Sequence, residues 1–150
     1  MVSTVNIYKN DIINISMDKI NNVLYVNVTR RSSYDEKLFN DAIESFRSTW
    51  VYLYDNNLKC HLQVTVNNKD TNKESVLPIT DIIKFISILT GLSSIFDKCL
   101  HSTCLTINDD SWKESINLIL QLYKPNRPFK ISSDQNEINK FFHCNKIVEK

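Results

Sequence analysis

The sequence predicts an α/β domain with the element order β(β)βαβαβαβα, on a mainly parallel sheet of roughly four or five strands with an antiparallel N-terminal edge. Three observations carry this reading. Beyond the first thirty residues the chain switches repeatedly between a period of two and a period of 3.6, the signatures of strands and of one-sided helices. Polar capping residues stand three positions before a Glu where helical patterns begin. The opening residues form short β-rich runs separated by Asn-containing turns.

The elements follow in order. Val5 to Tyr8 and Ile12 to Ile15 read as one or two strands, with Asn10-Asp11 and Asn21-Asn22 as turns, so residues 1–21 form an N-terminal strand or hairpin. In the next strand Val23, Tyr25, Asn27 and Thr29 share one face, and Leu24, Val26 and Val28 the other. Ser33 with Glu36, Ser111 with Glu114 and Asp134 with Glu137 mark three helix starts. The first helix carries Phe39, Ala42, Ile43, Phe46, Trp50 and Leu53 at helical spacing. The second carries Trp112, Ile116, Ile119, Leu120 and Tyr123 and stops before Pro125; the third carries Ile138, Phe141 and Phe142. A further helix starts at Pro78, a favoured first-turn residue, and runs through Ile82, Ile86 and Leu89 to Phe96. Cys60 to Val66, Ser102 to Ile107 and Pro128 to Ile131 supply the intervening strands. The whole chain, 1–150, reads as one domain without repeats or linkers. Residues 67–77 are the one long polar connection and the segment expected to be most mobile and most functional.

Composition narrows the function classes. Asn and Ile each occur 18 times, Lys 14 times and Ala once, a bias that points to an AT-rich source such as a large DNA virus. Gly91 is the single glycine, so neither a dinucleotide fingerprint nor a Walker loop can be assembled. A net charge of +1 gives no electrostatic footprint for nucleic acid or an anionic membrane surface. Met1-Val2-Ser3-Thr4 is not followed by a basic and then apolar leader, and Ile79 to Leu100 is interrupted by Asp81, Lys84 and Asp97. The expectation is a protein of the cytoplasm (the host's, or the virion, if the source is viral) with free thiols and no membrane insertion.

The two opening strands followed by the βαβαβα run from Val23 to Phe142 resemble the STAS domain of anti-sigma-factor antagonists and the closing half of lipid-carrying CRAL-TRIO domains. The STAS resemblance implies a regulatory loop after the second main strand, where an Asp precedes a phosphorylated Ser or Thr at a helix start. The matching segment here holds Asp70, Thr71, Lys73, Glu74 and Ser75, without the family's Asp-Ser-Ser-Gly signature.

Other constellations have simpler readings. Cys99, His101 and Cys104, with His143 and Cys144 as candidate further ligands, lack the paired spacing of a zinc site, and buried thiols are common. Cys60 and Cys104 read as small buried strand residues, Cys99 and Cys144 as gap fillers. Cys60 and His61 are neighbours on a strand and point to opposite faces, so they form no dyad. Asp109 and Asp110 stand at a strand's carboxyl end, where α/β folds bind ligands, but also where acidic residues cap a helix. Arg30-Arg31 and Lys124 to Arg127 read as solvated loop tips. The leading expectation is therefore a non-catalytic module that binds a protein partner through helix faces or through the 67–77 loop, as a homo-oligomer or a subunit of a larger viral complex, with no cofactor and no metal. The alternatives are a carrier or sensor of a small lipid or nucleotide ligand, and a hydrolase using Asp70 and Asp109.

Overall fold

The computed structural model describes residues 4–30, 35–68, 79–108 and 113–146. Its strands are β1 (Thr4–Lys9), β2 (Ile13–Asp18), β3 (Val23–Arg30), β4 (Cys60–Asn68), β5 (Leu100–Ile107) and β6 (Phe129–Ile131). The helices are α1 (Glu36–Asp55), α2 (Ile79–Gly91), α3 (Ser93–Cys99), α4 (Lys113–Leu122) and α5 (Gln135–Cys144). All six strands join one sheet in the order β1-β2-β3-β4-β5-β6, antiparallel from β1 to β3 and parallel from β3 to β6. The mixed α/β architecture agrees with the sequence, but the sheet is larger than expected because the opening run divides into two full strands.

Side-chain chemistry sets the turns. Asn10 Oδ1 accepts from the backbone N–H groups of Ile12 and Ile13 at 2.8 and 2.9 Å and closes the first hairpin. Asp18 does the same for the second, taking the N–H groups of Ile20 and Asn21, while Asn22 sits at φ 57° in the left-handed region that Asn tolerates.

Because the parallel strands advance in one direction, right-handed crossovers place the intervening helices on one face. On that face Leu24, Val26 and Leu62 pack under Ala42, Phe46, Trp50 and Leu53 of α1 and under Leu92 and Phe96 at α3. Trp50 is fully buried and meets Phe96 edge-on, with ring centroids 5.0 Å apart. Such a pair adds about 1 kcal/mol beyond its buried area. Val66, Leu105 and Ile116 form a smaller cluster beneath α4. The opposite face is covered by α5, whose Ile138 and Phe142 rest on Val23 and Cys104.

Three local expectations need correction. The cap of α1 is Asp35, whose side chain accepts from Leu38 N at 3.2 Å; Ser33 lies outside the described residues, as does Ser111 before α4. The long helix expected through Phe96 breaks at Leu92 into α2 and α3, which bend by 55°. The break turns Leu92 into the core, at 3% exposure. No single described helix is long and apolar enough to cross a membrane. Third, Cys144 is exposed and fills no gap. At α5 the expected cap holds: Asp134 accepts from Asn136 N at 2.9 Å. Glu137 accepts from the hydroxyl of Ser132, which itself accepts from the Asp134 N–H.

Candidate ligand cavity and the opposite polar face

Between the sheet and its helical layer lies a cavity of about 280 Å³. Its floor comes from alternate residues of three parallel strands: Val26 and Val28 of β3, Leu62, Val64 and Val66 of β4, and Leu105 of β5. Its walls and roof come from Phe39 and Ile43 of α1, Ile82 and Phe85 of α2, and Ile116 and Leu120 of α4. The cavity exists because the helical layer is uneven. α1 buries six residues on the sheet, whereas α2 fully buries only Asp81 and Ile82, and α4 only Ser115 and Ile116. Charged groups are few in the lining. Asp35, exposed at the start of α1, and Asp81, buried in the first turn of α2, both follow the carboxyl ends of parallel strands. Arg127 lies before β6, and its guanidinium donates to the carbonyls of Leu100 and His101 at 2.9 and 3.4 Å. Arg127 is thus a half-buried brace rather than the solvated loop tip expected from sequence.

A buried polar cluster occupies the other face. The register between β4 and β5 slips between Cys60 and Leu62: Cys60 pairs with Leu100 but Leu62 with Thr103, so His61 confronts both His101 and Ser102. His61 Nδ1 and Ser102 Oγ are hydrogen-bonded at 2.7 Å. The His61 ring lies 4.7 Å from that of His101 and is stacked at 4.6 Å on Phe142 of α5. Burial pushes the His61 imidazole down to about 4, with His101 and Lys146 acting in the same direction. His101 is lowered by burial first, then by Lys59, Arg127 and Lys146. A serine hydrogen-bonded to a histidine has the outline of a nucleophile and its base, yet Ser102 is fully buried, so no carbonyl can reach its oxygen. Sequence spacing gives no hint of this pair, because its members lie 41 residues apart in the chain and meet at a bulge between two strands.

The sequence-derived candidates separate cleanly. Asp70, Thr71, Lys73, Glu74 and Ser75 lie outside the described residues, and so do Asp109 and Asp110. The strands leading to both segments are neighbours, and Asn108 Nδ2 donates to Asn67 Oδ1 at 2.7 Å where they end. Cys60 and Cys99 pack on the helical face while Cys104 packs on the α5 face, so the sheet separates Cys99 from Cys104. Burial pushes the thiols of Cys60, Cys99 and Cys104 upward, away from the thiolate form that nucleophiles and metal ligands require. Among the described residues no three His, Cys, Asp or Glu side chains converge as metal ligands. The chain matches no protein-family model, no curated protein and no solved structure.

Proposed function

We propose that this protein is a non-catalytic binding module that holds a small apolar ligand between its sheet and helices α1, α2 and α4. The supporting observation is the cavity itself. Protein interiors pack as densely as organic crystals and leave few voids larger than a water molecule. A space of about 280 Å³ lined by Val, Leu, Ile and Phe side chains approaches the lower end of the range used for small ligands, roughly 300 Å³ upward. The resemblance in element order to lipid-carrying CRAL-TRIO domains points the same way. Binding of 1-octanol, followed by calorimetry, tests the reading: saturable binding of one molecule per chain is expected, and Val64→Phe, which places a ring on the cavity floor, is expected to abolish it while the variant still melts cooperatively. Absence of binding by every eight-carbon amphiphile tried, octanol included, to the folded wild-type chain overturns the proposal.

A protein-interaction role has a separate supporting observation. Ile79 and Ile83 stand one turn apart on α2, 61% and 55% exposed, and α2 packs beside α4, whose Leu122 is also exposed. The STAS-like version of this role, a switch at Asp70, Thr71 or Ser75, concerns residues outside the described ones. A partner that co-purifies with the wild-type chain from its native source and is lost from the Ile79→Lys, Ile83→Lys double variant supports docking at α2. Retention by both proteins rules that surface out.

A further inference from the structure

One acidic side chain does not belong to an apolar wall. Asp81 is 8% exposed, lines the cavity, and its Oδ2 has no hydrogen-bond partner among the described residues. Its position in the first turn of α2 explains part of its presence, because a carboxylate there interacts favourably with the helix dipole. The dipole does not supply the donor that the buried Oδ2 lacks among the described residues. Among the described residues no basic side chain is hydrogen-bonded to it. The cation nearest in sequence on α2, Lys84, is exposed and donates to Asn40 Oδ1. Arg127, the one basic residue among the described lining residues, donates to the carbonyls of Leu100 and His101. The remaining charged lining residue, Asp35, is also acidic.

Resting on the cavity reading above, we propose that the cavity selects an amphiphilic amine, a primary ammonium on an alkyl or aryl body, with the ammonium bonded to Asp81 Oδ2. The chemistry is one-sided. An ionised carboxylate only accepts hydrogen bonds, and an ammonium only donates them, so the pair satisfies both groups with a charge-assisted bond. A fatty acid of the same length places a third carboxylate beside those of Asp81 and Asp35 and is repelled. An alcohol supplies one neutral donor and falls between the two. The volume sets the size of the body: 280 Å³ equals the liquid volume of roughly nine water molecules, which suits a chain of about eight carbons.

Three probes of one length, n-octylamine, 1-octanol and octanoate, separate the contributions when titrated into the full chain by calorimetry. Octylamine is expected to bind about tenfold or more tighter than octanol, the difference a hydrogen bond to a charged group supplies, and octanoate weakest. In Asp81→Asn the roughly tenfold preference for octylamine over octanol should disappear. Asp81→Glu, which keeps the charge, should retain the amine preference and guards against a purely structural effect of the substitution. Equal affinity for all three probes in the wild type, or an amine preference that survives Asp81→Asn, overturns the amine assignment and leaves the cavity reading standing. Binding of none of the three to the folded chain overturns both.

Discussion

His61 and His101 lie with ring centroids 4.7 Å apart, and Phe142 stacks on the first of them. Lys59, Arg127 and Lys146 add positive potential around the pair. Burial is the largest influence against the imidazolium, and the neighbouring imidazole and these cations add to it, so both histidines favour the neutral form near pH 7. The consequence is a pH dependence of definite sign. The unfolded chain takes up a proton at His61 near its ordinary value of 6.5, while the folded chain resists until about 4. Stability is therefore fully present above 6.5 and is lost as pH falls through the window between those values. At about 1.4 kcal/mol per pH unit, His61 alone removes about 2 kcal/mol between pH 7.5 and about pH 5, above the range where most carboxylates titrate. Urea unfolding at the two pH values measures this, with His61→Gln expected to flatten the slope. A stability that is unchanged across the window shows that the pair is protonated without cost, for instance by undocking of α5.

The elements differ in how openly the sequence displays them. Strands β3 to β6 were legible because alternation in Val23–Arg30 and the β-rich runs after each helix report burial directly. Asp134 was legible as a cap because capping is a local hydrogen bond. At α1 the same logic chose Ser33, two residues too early, since Asp35 offers an equivalent oxygen and only the geometry at Leu38 N decides between them. The break at Leu92 was hidden for a different reason. Gly91 is one of the weaker helix formers, but the bend is completed by burying Leu92 beside Phe96, a tertiary gain that no local propensity contains. The bulge opposite His61 was also invisible, as register belongs to two strands at once. The cavity shares that origin: Phe39, Ile82 and Leu120 each read as core residues, and only the spacing of three helices over the sheet shows that they surround a space. Asp81, which sequence reading treated as an interruption of an apolar run, becomes informative only once that space is known.

At the scale of the molecule, the helical layer has a firm half and a loose half. α1 is anchored by six buried residues, including Trp50 in edge contact with Phe96, and α3 packs directly on it. Over the cavity, α2 and α4 each fully bury two residues, one of them polar in each case. Local opening needs less free energy where fewer apolar contacts are broken, so the two halves should exchange amide hydrogens by different routes. The amides of α1 and of the central strands β3 to β5 are expected to exchange slowest, through global unfolding. Those of α2 and α4 should exchange faster, through movements that open the cavity. Ligand adds a second, sharper expectation. A molecule that fills the cavity stabilises the closed form in proportion to its occupancy, so octylamine or octanol should slow exchange in α2 and α4 while leaving relative protection in β1 and β2 unchanged. Hydrogen-exchange mass spectrometry with and without the probe distinguishes the cases. If α2 and α4 are as protected as α1 before any ligand is added, the helical layer is uniformly firm and the expectation fails; if they are labile and the ligand slows them first, the loose half of the helical layer is the part that the ligand braces.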